Sequence, residues 1–396
     1  MSGKYLRESG ALEITGAVVR RFESFRVTRQ NLDTTVSIFD TSNQTLHDRI
    51  GDRDCLIVVE ETVYELYRSN LERYLDAYLR PRATVVRIQS GEAAKTITTA
   101  LNICEAAYVA RLRRNGVVVC IGGGACTDVG AFASAIYRRG VPHIRVPTTL
   151  VGMIDAGIAT KCAINFNDHK NLLGAYHQPE SSVIDTKFLT TLPAREIISG
   201  MGEVVKLAIS SDPDLYRLLR EHGGDMVENG CQGPLRDELT LLLSRSVLGM
   251  MMHLSRNLYE TENYGRAMDF GHTFSPWLEQ ASKYQIRHGE AVACDIALST
   301  VLSHRLGLIS REQADEFLVL LLSLQLPVYF ETKQIAQLWT SLSDIEAHRG
   351  GRLNLCLPQN VGSTVFIQRE MLSRELIEES WETLRHWAVS LKEPHN

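Results

Sequence analysis

A glutamate and two histidines have the side-chain types of a catalytic metal site. Glu203 lies three residues before Lys206 in GMGEVVK, so both side chains are expected on one face of a helix. His272 in DFGHTF and His288 in IRHGEAV each adjoin a glycine at an element boundary. One carboxylate and two imidazoles leave an open position on Zn²⁺, as catalytic zinc sites do. The separated segments follow no spacing rule, so the alternative of satisfied core histidines stays open.

The glycine-rich turn in GVVVCIGGGACTDVGAF suits a pyrophosphate. Glycines 122–124 follow an apolar strand and open a helix, whose N-terminal N–H groups attract anions. The turn is not the GxGxxG fingerprint, and a plain tight turn is the alternative. Glu60, at the end of CLIVVEE, is placed like the acid that binds ribose hydroxyls, and SGEAAK adds a carboxylate and the ammonium of Lys95. For these side chains the alternative is a solvated helix start.

Residues 147–179 form a segment with little regular periodicity, which we interpret as a long loop. It contains Asp155, Lys161, Lys170 and Asn171. Lysines, an amide and an aspartate beside a dinucleotide turn suit an anion such as a phosphate ester. A solvated basic loop is the alternative that composition leaves open.

The elements that must position these residues fall into two halves. From about residue 34 to 160, β-branched runs alternate with helical stretches, which favours βαβ units and a parallel sheet. After Pro193 helices dominate to the end of the chain. A cleft between two such halves is the usual place for a cofactor to meet a substrate. The predicted divisions are an extension over 1–30, a Rossmann-like α/β NAD-binding domain over 31–190 and a mostly α-helical domain over 191–396.

Charge and cysteine content argue against several functional classes. The 396 residues carry 47 acids against 42 bases, a net charge of -5 spread along the chain, so no polybasic surface indicates nucleic acid or membrane. The eight cysteines form no CxxC and lie mostly in apolar runs, as buried thiols of a reducing cytoplasm do. We see no apolar signal core and no run near the ~20 residues that span a bilayer. We therefore expect a cytoplasmic protein.

Together these stretches resemble the sugar phosphate cyclases, the superfamily of dehydroquinate synthase. The matching segments occur in family order and are GGGACTDVGAF, PTTLVGMIDAGIATK, HKNLLGAYHQP, GMGEVVK, FGHTF and HGEAV. Their joint occurrence is far more specific than any one of them. The resemblance implies an N-terminal NAD-binding α/β domain and a C-terminal helical domain, with a metal in the cleft.

The resemblance also implies roles for individual residues. It makes Glu203, His272 and His288 the ligands of Zn²⁺, with Co²⁺ as the alternative ion. It assigns NAD binding to Glu60, Glu92, Lys95, Gly123, Gly124, Asp128, Thr148 and Thr149. It assigns substrate contacts and catalysis to Asp155, Lys161, Lys170, Asn171 and Lys206, with Arg139 of the partner subunit reaching a phosphate in a homodimer.

The implied reaction uses NAD catalytically on a small sugar phosphate. A ring hydroxyl is oxidised to a ketone, which acidifies the neighbouring C–H, and phosphate then leaves by β-elimination. The hydride returns, the ring opens, and an intramolecular aldol step closes a carbocycle. No net redox change results.

The stretch DFGHTFSPW departs from NFGHTFGHA, which dehydroquinate synthases usually carry. Asp269 replaces Asn, Pro276 replaces a second His, and Arg266 lies one position from the place of the family's carboxylate-binding Arg. The apolar VLGMMM stands where the family has its carboxylate-binding Lys. An added negative charge and missing cations make a poor carboxylate site, so we expect a substrate without a carboxylate. Ser275 and Pro276 also fit the N-cap and first residue of a helix.

A phosphorylated ketose fits such a site, and sedoheptulose 7-phosphate is the substrate of the valiolone-forming branch of the superfamily. DFGHTF and His348 in AHRGG resemble that branch, so Asp269 and His348 are candidate catalytic residues and Arg349 a candidate substrate-binding residue. Ser255 stands where leucine is expected in that branch, so either 2-epi-5-epi-valiolone or 2-epi-valiolone is the expected product.

Three other functions compete with this one. Dehydroquinate synthase itself is disfavoured by Asp269 and Pro276. A metal-dependent polyol dehydrogenase also pairs a GGG turn with metal-binding histidines. A nucleotide-binding regulatory module without catalysis would require the metal cluster to be accidental.

Overall fold

The computed structural model describes residues 30–167, 169–256, 266–332 and 334–390. The predicted extension over 1–30 lies outside the described residues, apart from Gln30. Within those ranges, no helix is both long and apolar enough to cross a membrane. The strands are β1 (Asn31–Thr35), β2 (Cys55–Glu60), β3 (Ala83–Ile88), β4 (Val117–Gly122), β5 (His143–Pro147), β6 (Lys161–Phe166), β7 (His169–Tyr176), β8 (Ser181–Asp185), β9 (Leu355–Asn360) and β10 (Ser363–Ile367).

The α-helices alternate with the first strands and then follow one another in the second half. They are α1 (Thr45–Ile50), α2 (Glu61–Tyr74), α3 (Ile97–Val109), α4 (Gly124–Ile136), α5 (Ala194–Ser211), α6 (Pro213–Glu228), α7 (Arg236–Arg256), α8 (Ser275–Ala281), α9 (His288–Arg305), α10 (Arg311–Ser323), α11 (Ala336–His348) and α12 (Arg374–Ser390).

Six strands form the central sheet, in the order β1-β8-β5-β4-β2-β3, and every pair in it is parallel. Ile57 and Val59 of β2 pack into one core, whereas Leu56 and Val58 pack into another on the opposite face. Both faces are therefore covered, which explains why β2 and β4 are nearly continuous apolar runs. The predicted α/β fold with a parallel sheet is confirmed.

Helices dominate after β8, as predicted, but two hairpins depart from the sequence pattern. β9 and β10 pair antiparallel, and Ser303 of α9 donates a hydrogen bond to the carbonyl oxygen of Pro358 in β9. The expectation of a long loop is wrong for β6 and β7, which also pair antiparallel. Most of β7 is exposed, so its sequence lacks the apolar alternation that indicates a half-buried strand.

Helices α5 and α9 contact each other through two glycines. A Cβ on Gly202 would lie 2.2 Å from the carbonyl oxygen of Gly289, and a Cβ on Gly289 would lie 1.6 Å from the carbonyl oxygen of Ser199. Glu203 directly follows the first glycine, and His288 directly precedes the second. The close backbone contact therefore brings the predicted carboxylate ligand beside one of the predicted histidine ligands.

We predict that Gly202→Ala lowers the free energy of unfolding by about 1–3 kcal/mol, because the added methyl group must push α9 away from α5. Urea denaturation measures this as a lower midpoint at an unchanged m value. The control is Gly249→Ala in α7, whose new Cβ would lie 3.7 Å from Leu207 Cδ2, an ordinary contact. Alanine also favours helix there, so equal destabilisation of both variants would contradict the prediction.

Candidate active site

The three predicted metal ligands meet between α5, α9 and the turn before α8. One potential ligand atom from each of Glu203, His272 and His288 lies within 4.8 Å of the other two. Glu203 Oε1 is 3.1 Å from His288 Nε2 and 3.5 Å from His272 Nε2. The imidazole rings stand edge to face, with centroids 5.4 Å apart. The sequence prediction that these separated residues converge is thus matched by the geometry.

Each histidine is oriented by an acceptor for its other ring nitrogen. His272 Nδ1 donates to the carbonyl oxygen of Phe270 at 3.2 Å, and His288 Nδ1 donates to Glu279 Oε1 at 2.9 Å. Because a protonated Nδ1 in a neutral ring leaves the lone pair on Nε2, both rings can present Nε2 as a ligand. Such outer hydrogen bonds fix the tautomer of metal-binding histidines.

The charges of the cluster fit a bound divalent cation. Glu203 is fully buried, and neither of its oxygens has a well-aligned hydrogen-bond partner among the described residues. Although burial favours the neutral acid, Lys206 and the two histidines hold the pKa of Glu203 well below its usual range. The result is a buried carboxylate anion that faces one ammonium and two imidazoles, which is the chemistry expected of a metal ligand.

The two imidazoles differ in basicity. Burial and the nearby Lys206 lower the pKa of His272 to about 4, so its ring is neutral and ready to coordinate. Desolvation also opposes the charged form of the half-buried His288, but Glu279 and Glu203 outweigh that effect and raise its pKa to about 10. The site of His288, between the carboxylates of Glu203 and Glu279, therefore stabilises a positive charge. A bound metal ion would supply that charge in place of the second ring proton of His288.

Two predicted catalytic lysines and an aspartate share this electrostatic environment. Lys206 is buried and forms an ion pair with Glu203. Burial and Glu203 raise the pKa of Asp155, with Lys206 and Lys161 acting in the opposite direction. Asp155 lies in a short π-helical turn, and the exposed Lys161 begins β6. The structure thus brings Asp155 and Lys206 to the metal-ligand cluster.

The predicted phosphate-binding residues lie on β7. Lys170 forms an ion pair with Glu279, and its ammonium is 5.3 Å from the ring centroid of Tyr284. Asn171 is exposed with a φ of 55°, and its N–H donates to Asn165 Oδ1 at 3.0 Å. Lys170 is therefore linked through the carboxylate of Glu279 to His288, a predicted metal ligand.

The glycine turn and its neighbours gather at the carboxyl end of the parallel sheet, where α/β proteins bind ligands. Glu60 Oε2 accepts a hydrogen bond from Gly123 N–H at 2.9 Å. A Cβ on Gly123 would lie 3.1 Å from Thr149 Cγ2, and Thr148 N–H donates to the Gly122 carbonyl at 3.0 Å. Gly124 begins α4, so its N-terminus opens at this edge.

The remaining predicted cofactor residues form polar pairs nearby. Lys95 Nζ is 2.7 Å from Asp128 Oδ2, and both side chains are largely buried. Burial opposes the ammonium, but Asp128 and Glu92 outweigh it and raise the pKa of Lys95. Glu92 Oε1 accepts from Asn165 Nδ2 at 2.8 Å. Asn165 therefore joins the cofactor side to β7.

Asp269 is engaged by two arginines, one near it in the sequence and one distant. Arg266 Nη2 is 2.7 Å from Asp269 Oδ1, and Arg349 Nε is 3.9 Å from Oδ2. Arg349 is buried and also donates to the carbonyls of Leu353 and Asn354 at 2.8 and 3.1 Å. These contacts orient the guanidinium of Arg349, and its predicted role in substrate binding stays a prediction.

Two predicted residues have less defined surroundings. His348 ends α11, and its side chain lies outside the described residues. Arg139 is exposed in a 3-10 turn, with a φ of 64°. The predicted roles of both residues stay predictions.

The predicted N-cap role of Ser275 is wrong. α8 begins at Ser275 with Phe274 in the N-cap position, and Pro276 is the second helical residue. Asp295 of α9 supplies the cap instead, because its Oδ2 accepts the N–H groups of Thr273, Phe274 and Ser275 at 2.8, 2.5 and 2.9 Å. Burial raises the pKa of this carboxyl to about 6, and the three N–H donors oppose that rise.

Sequence analysis also missed two residues that shape the site. Glu279 lies in the short helix α8. Its sequence signal was an acidic residue within a largely apolar segment. Arg145 is an arginine in the fully buried strand β5, and it donates to the carbonyls of Ala159 and Lys161 at 3.0 and 3.1 Å. It thereby fixes the segment between Asp155 and β6. Neither role could be assigned without knowing the distant partners.

Comparisons with known proteins agree with this architecture. The 3-dehydroquinate synthase N-terminal family matches residues 85–199, and the 3-dehydroquinate synthase C-terminal family matches residues 200–344. The chain is 38% identical over 344 residues to 2-epi-5-epi-valiolone synthase from Streptomyces glaucescens, covering 86% of this chain and 87% of the relative.

Solved structures of sugar phosphate cyclases also share the fold of this chain. The 2-epi-5-epi-valiolone synthase from Streptomyces hygroscopicus subsp. jinggangensis 5008, with NAD⁺ and Zn²⁺ bound, superposes with a TM-score of 0.85 at 34% identity, covering 93% of this chain and 99% of that one. A 2-deoxy-scyllo-inosose synthase complexed with carbaglucose-6-phosphate, NAD⁺ and Co²⁺ shares the fold, with a TM-score of 0.74, 23% identity and coverage of 88% and 96%. The predicted NAD and zinc are the groups bound in the first of these structures.

We predict that His272→Ala weakens Zn²⁺ binding by more than the roughly 10–100-fold typical of losing an outer-sphere partner, because it removes a direct ligand. Competition with a chromophoric chelator measures the affinity in the folded protein. His222→Ala, on α6 and 4.0 Å from Glu221, is the matched control and should bind like wild type. Unchanged zinc affinity in His272→Ala would refute the assigned ligand set.

Proposed function

Because this chain belongs to the dehydroquinate synthase family of sugar phosphate cyclases, we propose that it converts sedoheptulose 7-phosphate into 2-epi-5-epi-valiolone with loss of phosphate. Family membership, which the sequence resemblance predicted, makes the chain an enzyme. The names of the similar relative and of the similar structure support the product. The observation that carries the choice of substrate is the ion pair between Asp269 and Arg266.

That ion pair argues against a substrate carboxylate. Asp269 is buried and already neutralises Arg266 at 2.7 Å, while the guanidinium of Arg349 contacts backbone carbonyls. A substrate carboxylate placed here would meet the charge of Asp269 without a cation of its own, and burying an uncompensated charge is costly. Hydroxyl groups can instead donate to the Asp269 oxygens, which suits a neutral ketose chain.

Two groups would bind in the cleft beside the substrate. The metal would be held by Glu203, His272 and His288, and NAD by the glycine turn with Glu60, Lys95 and Asp128. When bound, NAD⁺ supplies reversible hydride transfer and the divalent metal polarises substrate oxygens. Zn²⁺ suits the ligand set of one carboxylate and two imidazoles, and Co²⁺ is the alternative ion.

The other side chains of the site bind the substrate and handle protons. Lys170 and Asn171 present an ammonium and an amide to the phosphate group, as point-charge and hydrogen-bonding contacts. Lys206, which is paired with Glu203, and Lys161, at the start of β6, bind substrate oxygens in this proposal. The raised pKa of Asp155 suits a carboxyl that exchanges a proton with a substrate hydroxyl. We include His348 in the proposal as a further catalytic residue.

The proposal extends to assembly and location. The enzyme acts in the cytoplasm as a homodimer, in which Arg139 of the partner subunit contacts the substrate phosphate. The exposed position of Arg139 in a turn is compatible with contact to a second subunit. The division into an NAD-binding half up to about residue 190 and a metal-binding half after it belongs to the same proposal.

The direct test is to incubate the purified protein with sedoheptulose 7-phosphate, NAD⁺ and Zn²⁺. We expect release of inorganic phosphate without lasting NADH absorbance, since the hydride returns within one cycle. NMR of the product distinguishes 2-epi-5-epi-valiolone from 2-epi-valiolone. Robust turnover of the seven-carbon acid phosphate of dehydroquinate synthase would reverse the assignment, and steady net NADH production from a simple alcohol would indicate a polyol dehydrogenase.

We predict that Asp269→Asn lowers kcat/KM for sedoheptulose 7-phosphate by at least about tenfold, or ~1.4 kcal/mol of transition-state stabilisation. The isosteric change removes the charge that accepts substrate hydroxyls and would repel a substrate carboxylate. Inhibition by a carboxylate-bearing sugar phosphate should therefore become stronger. The matched control is Asp315→Asn, which removes a surface ion pair with Arg311. Wild-type selectivity in Asp269→Asn would count against the substrate argument.

A further inference from the structure

A buried carboxylate joins the metal-ligand cluster to the strand that carries Lys170. The Glu279 side chain is 6% exposed, and its two oxygens have different partners. Oε1 accepts from His288 Nδ1 at 2.9 Å, whereas Oε2 pairs with the ammonium of Lys170. Lys170 lies 109 positions away in the chain, so this contact exists only in the folded protein.

The carboxylate is ionised in this environment. Burial alone would favour the neutral acid, but His288 and Lys170 lower the pKa of Glu279 to about 2. Hydrogen bonds between a charged acceptor and a charged or polar donor are roughly twice as strong as neutral ones. Both partners of Glu279 are therefore held by charge-assisted contacts to the same carboxylate.

The contact with His288 decides which ring nitrogen faces the cluster. A carboxylate oxygen can only accept, so Nδ1 must carry a proton, and the Nε2 lone pair of the neutral ring then points to the side of Glu203. A glutamine at this position could also offer its NH₂ group to Nδ1, which would stabilise the wrong tautomer for coordination through Nε2.

The contact with Lys170 places a positive charge beside the same carboxylate. The ammonium is fixed between Glu279 and the face of Tyr284, whose ring centroid is 5.3 Å away. This charge draws electron density of Glu279 away from His288. Any change at Lys170 should therefore alter how strongly His288 donates to a metal.

We propose that Glu279 is a positioning residue, with one oxygen fixing the metal-binding tautomer of His288 and the other holding Lys170 in the phosphate-binding position. The inference deepens the proposed function, on which the phosphate role of Lys170 rests. In this proposal, the carboxylate of Glu279 couples the binding of an anion at Lys170 to the binding of a metal ion at His288. By linkage, that coupling acts equally in both directions.

The test measures Co²⁺ binding without turnover, using chelator competition for the affinity and visible absorption for the ligand field. Glu279→Gln should weaken Co²⁺ binding by about 10–100-fold and change the absorption spectrum, as loss of an outer-sphere partner does. The matched control is Asp212→Asn, which loses the charge of a carboxylate paired with Arg245 at the start of α6. It should match wild type in both measurements.

A double-mutant cycle with Lys170→Gln separates positioning from packing. With Glu279 present, Lys170→Gln should tighten Co²⁺ binding by at least about threefold, because Glu279 then interacts with His288 alone. In the Glu279→Gln background the same change should have a clearly smaller effect, because it then removes only the direct repulsion between the lysine charge and the cation. Equal effects of Lys170→Gln in both backgrounds, or wild-type Co²⁺ affinity and spectrum in Glu279→Gln, would overturn the proposal.

A conservative variant keeps the test decisive if Glu279→Gln does not fold. Glu279→Asp retains the charge but is one methylene shorter, so it cannot reach both partners at once. We expect it to fold and to bind Co²⁺ more tightly than Glu279→Gln but less tightly than wild type. Wild-type affinity in Glu279→Asp would contradict the requirement for two simultaneous contacts. Failure of wild-type product formation would instead concern the proposed function, since Co²⁺ binding does not depend on the substrate.

Discussion

The structure of the site depends on the contact between α5 and α9 at Gly202 and Gly289. Neither position leaves room for a side chain, so the two backbones approach far more closely than ordinary helices do. Glu203 and His288, each next to one of these glycines, are therefore held by main-chain packing and do not depend on flexible side chains for their relative position. Preorganisation of this kind is what a metal ion requires of its protein ligands.

Around that contact, the charges are arranged so that few are left uncompensated. The buried anion Glu203 faces Lys206 and two imidazoles, and Glu279 faces His288 and Lys170. The cofactor side repeats the arrangement with Lys95 and Asp128. Buried charges persist only when they are paired, and each of these groups has a partner of opposite charge or a hydrogen-bonding imidazole.

The sequence predicted the parts of the site that local patterns encode. The alternation of strands and helices predicted the parallel sheet, and the glycine turn and the histidine segments predicted which residues lie at the cleft. It did not predict partners that only tertiary packing creates, such as Glu279 for His288 or Arg145 for the carbonyls before β6. The mistaken cap at Ser275 has the same origin, because a distant carboxylate, Asp295, outcompetes the local hydroxyl for the helix N-terminus.

Asp295 has a mechanical consequence for the two histidines. It lies on α9, the helix that begins with His288, and it grips the three amides that directly follow His272. One helix thus carries one imidazole and clamps the loop of the other, so small displacements of α9 move both rings as a rigid unit. Because every residue from Gly289 to Ser303 is buried, substitutions in the core around that helix would shift both imidazoles relative to the sheet while their mutual spacing is retained. The distance between the histidine pair and the glycine turn would then change without the loss of either imidazole.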